Sequence, residues 1–533
     1  MTTCKPGLSP NLSLRQRVRK PPAESAGGIV VSQNRLASEI GARVLADGGH
    51  AVDAAVATSF AVGVLEPWMS GIGGTGAMLV RDAASGEITV VDFGARAPAA
   101  LDPKDYPVVG GNAGDLFGWP RVKDDRNLVG ATAVCAPTTV AGVHAAHRRF
   151  GRKPWRDLVA QAIPLAEQGC VVDWHMLLEI ATTLPHLARD PGCRSVFLPG
   201  GTPPVPPPAV APEPVVRLPN PALGKTLAVL AEEGPRALYG GGLGRVLVED
   251  IRAAGGCLTK ADLAMCEPRV LAPRSVEHNG HRVSVLPELS GGPTLIRAFE
   301  ELARRWTPSG AERPLDRTAF MAITEALREA WSDRFANMGD TATTAATSTT
   351  THISVVDREG NMVALTQTLL SIFGSRFLSP STGILLNNAI NWFDPRPGGP
   401  NSMAPGKRAL CNYCPAIMVG PSRSVAIGGS GGRKIMPAVF QLLVMLAKGM
   451  GLEEAFHAPR VDVSGGERVV VDRDLPEDVR AALAAKFDTL AVERTAYPAH
   501  FTIAGAVARI DGRNLGATEP HMPWSEAVSE DDL

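Results

Sequence analysis

Residues 341–370 read TATTAATSTTTHISVVDREGNMVALTQTLL, and both the fold and the chemistry turn on this stretch. Eight of the eleven residues from Thr341 to Thr351 are Ser or Thr, a composition that reads as a loop. At His352 the pattern changes. HISVVD, a turn at Glu359-Gly360-Asn361 and MVALTQTLL together read as a β-hairpin whose strands mix small polar and β-branched residues. A Ser/Thr-rich loop is ordinarily a solvated linker. A Thr hydroxyl is a weak nucleophile unless a base stands beside it, and one available base is its own α-amine, which exists only if the chain is cut immediately before that Thr. A loop feeding a rigid strand is a place where such a cut can occur, so linker and cut site both stay open on these residues alone.

Outward from the hairpin, residues 316–336 have helical spacing (Phe320, Ile323, Leu327, Ala330, Trp331). On the C-terminal side the Gly-rich GGSGGRK, ending at Lys434, precedes an apolar helix over Ile435–Lys448, and strand-like pieces follow near Val469–Val471 and Gly505–Ile510. Toward the N-terminus, GGIVVSQ reads as a strand. Asn34–Asp47 reads as an amphipathic helix, and Ala51–Val64, almost without charge, as a helix buried on most of its surface. SGIGGTGAMLV and GEITVVDF are further strands after turns. The stretches 138–192 and 220–265 read as mainly helical. Between them GTPPVPPPAVAPEP, residues 201–214, holds seven prolines and reads as an exposed connector, with a PxxP ligand as the alternative.

Composition excludes several classes. The chain has 533 residues, 45% apolar and 20% charged, so a large core is expected and global disorder is not. With 53 Lys+Arg against 54 Asp+Glu there is no basic excess for nucleic acid. The first twenty residues are basic without an apolar core, and the apolar run Ala51–Leu65 is too short to span a bilayer, so a soluble, cytoplasmic protein without a membrane partner is the expectation. Eight cysteines are scattered, and Cys411-x-x-Cys414 has no second pair at zinc spacing. Packing is expected for them and no metal.

The ordered blocks GGHAVDAAVATSFAVGVLEP, SGIGGTGAMLV, VVDFGARAP, TTVAGVHAA, GGCLTKADL, SGGPT, TTHISVVDREGNMVALTQT, SPSTGILLNN, PGKRAL, GGSGGRK and HAPRVD, running from about Gly28 to Trp524, resemble the γ-glutamyltranspeptidase family. That resemblance implies an α+β protein, a four-layer αββα sandwich of the N-terminal-nucleophile hydrolase type. It implies a proenzyme that cleaves itself between Thr349 and Thr350 into a large subunit (27–349, behind a flexible arm, 1–26) and a small subunit (350–533). The family pattern of Thr, then Thr or Ser, then His makes Thr350 the nucleophile. Thr368 matches the second Thr, whose hydroxyl bonds to it, and Gly431 and Gly432 match the pair whose N–H groups form an oxyanion hole. Asn387 and Asn388 match the motif beside the acyl pocket, where a structural role is favoured over donation to substrate. Gly71–Gly76 matches the family's Gly-rich turn, and no Lys-Ser/Thr follows it to suggest a phosphate cradle. No cofactor is implied, and the partners are a small amide substrate and the two subunits themselves.

The chain departs from the γ-glutamyl pattern where that family grips an amino-acid head group. Gly94 stands at the position of an Arg, Ala389 at that of an amide or acid, and Trp392 at that of an Asp. Cys411 and Asn412 replace a Ser pair, and Leu370 an Asn. Trp392 and Asn412 are then expected to shape a different acyl pocket, with Asn388 beside it and Arg96 or Arg376 as replacement cations. The leading expectation is an amidohydrolase or acyltransferase with its donor unassigned. A true glutathione hydrolase with a relocated clamp, and a non-catalytic scaffold, are the alternatives.

Overall fold

The structure is a computed structural model that describes residues 18–112, 119–205, 215–307, 315–338 and 349–533. The Ser/Thr-rich residues 341–348, the prolines from 206 to 214 and the first 17 residues lie outside the described residues.

Two seven-stranded sheets form the centre. The first runs Glu526–Ser529, Ile29–Ser32, Thr349–Val356, Met362–Leu370, Thr75–Arg81, Ile88–Phe93, Arg269–Leu271. The second runs Ala23–Ser25, Arg513–Thr518, Ile503–Ile510, Arg423–Ser430, Ala416–Val419, His281–Val285, Arg274–His278. Every pairing in both is antiparallel.

Alternation along the strands explains the layering. Val30, Met78, Ile353, Val355, Val363 and Leu365 turn outward and pack under the helices Arg35–Ala46, Ala51–Leu65 and Thr139–Phe150. Their neighbours Ile29, Val31, Val356, Met362 and Ala364 turn inward against Ile417, Ala426 and Val507 of the second sheet. The outer face of that sheet carries Val283, Val425 and Ile427 beneath the helices Gly292–Arg305, Arg317–Asn337 and Ile435–Ala447. Four layers result, helix, sheet, sheet, helix, as expected of an α+β sandwich of the N-terminal-nucleophile type.

The expected helices are present, as Arg35–Ala46, Ala51–Leu65, Arg317–Asn337 and Ile435–Ala447. Asn34 starts the first of them, its side chain accepting from the amides of Leu36 and Ala37. Ala51–Leu65 is buried on nearly its whole circumference because the first sheet covers one face and further helices the other.

Part of the expected arm is a strand. Ala23–Ser25 is an edge strand paired with Asn514–Gly516, so the boundary at 26 falls inside built structure. Periodicity does not show this, because three residues are too few to establish an alternation. Among the described residues no helix is long and apolar enough to cross a membrane.

Candidate active site

Thr350 is the second residue of its strand, and the ladder slips there. Thr349 pairs with Leu370 but Thr351 pairs with Gln367, so Thr368 and Leu369 together oppose the single Thr350. Such a bulge re-aims side chains and is common beside active sites. Here it brings the two hydroxyls together. Thr350 Oγ1 donates to Thr368 Oγ1 at 3.4 Å, and Thr368 Oγ1 accepts the amide of Leu370 at 2.8 Å. Both threonines are buried. Leu370, which ends the bulged strand, has a φ of +85°, a strained conformation for a buried branched side chain.

His352 fixes how this strand meets the other sheet. A Cβ on Gly428 would fall 2.4 Å from the His352 ring, so only glycine allows that approach. Two residues on, Ser354 Oγ donates to the Ala426 carbonyl at 3.1 Å. The strands Thr349–Val356 and Arg423–Ser430 therefore cross in opposite directions, His352 meeting Gly428 and Ser354 meeting Ala426. Because the Ser354 proton is used on Ala426, the imidazole Nε2–H donates to Ser354 (2.8 Å) and Nδ1 accepts from Thr366 (2.9 Å). Full burial pushes the His352 pKa down to about 3, so the ring is neutral and acts as a spacer.

Gly431 and Gly432 follow Ser430 with φ of +137° and +63°, conformations that exclude most side chains. Among the described residues neither amide N–H has a hydrogen-bond acceptor. Gly432 opens a short 3-10 turn to Lys434, and the first N–H of a helical turn has no partner within it. Two adjacent amides without an acceptor are suited to stabilising an oxyanion.

The Gly-rich turn lets backbones approach closely. A Cβ on Gly74 would lie 2.4 Å from the carbonyl oxygen of Thr368. Asn387 and Asn388 tie the surrounding loops. Asn387 Nδ2 donates to the carbonyls of Gly73 and Cys135, while its Oδ1 accepts from the amides of Cys135 and Ala389. Asn388 Oδ1 accepts from the Ser371 amide, and its Nδ2 donates to Ser371 Oγ and the Leu128 carbonyl.

The remaining candidates each make contacts of their own. Trp392 is buried, edge-on to Tyr413 at 6.1 Å, with no partner for its indole N–H. Asn412 Oδ1 accepts from Arg334 at 3.0 Å. Arg96 donates from Nε to the Gly406 carbonyl at 2.9 Å and lines a cavity of about 40 Å³ with Gly94 and Arg408. Arg376, at φ +54°, donates to the Leu128 carbonyl at 3.3 Å. Space at Gly94 is taken, since a Cβ there would meet Tyr413 Oη at 2.8 Å and Asp92 Oδ1 at 3.1 Å. Asp92 is itself paired with Arg269 (2.5 Å) and Arg408 (3.3 Å). Cys411 and Cys414 are buried free thiols, each pushed up to about 12 by burial.

Sequence reasoning missed two groups. Arg334, in the last turn of Arg317–Asn337, is fully buried and donates to the Ser290 and Cys411 carbonyls and to Thr294 as well as Asn412. The second is a cavity of about 500 Å³ that meets the site at Ser430 and Gly431 and is bounded by Lys434, His175, Glu179 and the segment 496–501. Only the adjacency of Lys434 to the Gly pair could have pointed to it.

A family model described as gamma-glutamyltranspeptidase matches residues 37–348 and 342–528. The acylase ACY 1 proenzyme of Pseudomonas sp. (strain V22) is 34% identical over 504 residues, covering 88% of each chain. Glutathione hydrolase 3 of Arabidopsis thaliana is 31% identical, over 82% of this chain and 73% of its own. The crystal structure of cephalosporin acylase from Bacillus halodurans superposes with a TM-score of 0.78 at 22% identity, over 98% of both chains, a likeness of fold.

Proposed function

This chain belongs to the γ-glutamyltranspeptidase family, and we propose that it cleaves a small amide through an acyl-enzyme on Thr350, whose α-amine is freed by self-cleavage at Thr349–Thr350. The observation that carries this is the Thr350–Thr368 hydroxyl pair held at a bulge; the Gly431 and Gly432 amides, without an acceptor among the described residues, support it. In the cut protein the α-amine takes the Thr350 hydroxyl proton as Oγ1 attacks the amide carbon. The oxyanion formed is stabilised by the N–H groups of Gly431 and Gly432. Collapse breaks the C–N bond, and the α-ammonium returns the proton to the departing amine. Water, deprotonated by the same amine, then releases the acid, or a second amine takes the acyl group. Thr368 acts by orienting Thr350. The large subunit runs to Thr349 and includes the edge strand Ala23–Ser25, and the small subunit comprises 350–533.

The acyl group lacks an amino-acid head group. A side chain at Gly94 would have to displace the tips of Tyr413 and Asp92, and Trp392 puts an indole where an Asp would meet an ammonium. An unpaired buried charge on the substrate costs on the order of 1–3 kcal/mol or more. A second reading, a γ-glutamyl enzyme with a relocated clamp, draws on Arg96 and Arg408 lining one cavity with Gly94.

One experiment addresses both readings. Matured protein is given γ-glutamyl-, glutaryl- and butyryl-p-nitroanilide, which lose first the α-ammonium and then the carboxylate, kcat/KM is measured for each, and the quenched reaction is examined for acyl mass on the small fragment. Acyl adduct in the wild type and none in Thr350→Ala is expected, with the glutaryl donor at least equal to the γ-glutamyl one. A tenfold preference for γ-glutamyl establishes the second reading. Turnover surviving in Thr350→Ala contradicts the nucleophile.

A further inference from the structure

We infer that the cavity beside Gly431 receives the amine half of the substrate, and that this half carries a carboxylate read by Lys434; the inference rests on the amide-cleaving reading above. An amide has two halves on opposite sides of its carbonyl carbon. The residues expected around the acyl half, Asn388, Trp392 and Asn412, do not line this cavity, which meets the catalytic centre at Ser430 and Gly431. At about 500 Å³ it has room for a substantial leaving group.

Lys434 is placed to read charge there. Its Cβ lies 3.8 Å from where a Cβ on Gly431 would stand, so the side chain leaves the backbone beside the oxyanion glycine. Its ammonium donates to the Ala499 carbonyl at 3.1 Å; among the described residues it makes no close ion pair, though the charge of the buried Asp462 reaches it. An ammonium offers three donors, so two are left for a ligand. The other titratable groups at the cavity are Glu179, His175 and His500, and the buried Asp462 acts on Lys434. Glu179 is engaged by His175 at 3.2 Å, and His500 is held toward its neutral form by burial and by Lys434.

The walls describe the frame that bears the carboxylate. Met69, Ile372, Phe501 and Met522 are apolar, and Tyr497 stands at the same cavity. His175 stacks on Trp524 at 3.9 Å, and the half-exposed Trp174 lies against that indole at 5.5 Å. Apolar surface around an ammonium selects an apolar amine with one anionic group.

The test uses four substrates, the 4-aminobenzoate amides and the plain anilides of the glutaryl and γ-glutamyl groups, against self-cleaved wild type, Lys434→Met and Lys434→Arg. Self-cleavage of each variant reports that it has folded. Wild type is expected to favour the 4-aminobenzoate leaving group tenfold or more in kcat/KM, mainly through KM. Lys434→Met should bring that ratio to within about twofold of unity, and Lys434→Arg should keep most of it. A wild-type ratio below twofold, or a ratio unchanged in Lys434→Met, overturns the inference. Adding a fifth substrate, butyryl anilide, and comparing it with glutaryl anilide covers the other side: if Lys434→Met alters that ratio instead, the lysine reads the acyl half and the assignment is wrong. Turnover of none of the four by a self-cleaved protein contradicts the amide-cleaving reading itself.

Discussion

At the scale of single residues the site depends on hydroxyl orientation. Thr368 accepts the Leu370 amide and the Thr350 hydroxyl on one oxygen, which fixes where Thr350 Oγ1 stands before it attacks. Thr368→Val keeps the shape and removes both contacts. Turnover of the matured protein is expected to fall by about 10²–10⁴, the range for a positioned partner, with KM changed far less than kcat. Single-turnover kinetics on the matured variant checks this, and unchanged kcat removes Thr368 from the mechanism. Thr350, Thr368 and Gly431-Gly432 were legible in the sequence because each sits in a short, ordered motif. Arg334 and Lys434 were not, because an Arg at a helix end and a Lys after glycines are ordinary surface patterns until distant chain closes over them. Asn388 could be placed beside the site but not given its hydrogen bonds, since Leu128 and Ser371 reach it only through tertiary contact.

At the scale of elements, the bulge does what the hairpin pattern could not forecast. HISVVD and MVALTQTLL read correctly as paired strands, yet the extra residue opposite Thr350 leaves no mark on the alternation. The same limit applies to the Gly-rich turn. Its glycines look like a generic turn or a phosphate loop, and only the sheet shows that Gly74 is pressed against the Thr368 carbonyl. Gly74→Ala is therefore expected to act through the neighbouring strand. A methyl 2.4 Å from that oxygen forces the strand to shift. Overpacking of this kind costs about 1–3 kcal/mol. Activity should drop at least tenfold while the protein still folds, read by denaturant melts beside kcat. Full activity would show that the strand tolerates displacement at Thr368.

At the scale of the whole molecule, the cut divides the chain but not the fold. Strands from before and after Thr350 interleave in both sheets: Ile29–Ser32 lies between Glu526–Ser529 and Thr349–Val356, and Ala416–Val419 pairs with His281–Val285. The two fragments should stay together as one particle and separate only in denaturant. The layered sandwich was legible because the ordered blocks imply it and the strand patterns agree. The edge strand Ala23–Ser25 was not, being too short to carry a pattern. The most direct measurement is mass spectrometry of the purified protein under denaturing conditions, with N-terminal sequencing of the smaller species. At about 105 Da per residue, averaged over the 56.0 kDa chain, fragments of roughly 37 and 19 kDa are expected, the smaller beginning TTHISVVD, and Thr350→Ala should stay whole. A wild-type protein that is active while remaining a single 56.0 kDa chain would contradict Thr350 as an N-terminal nucleophile.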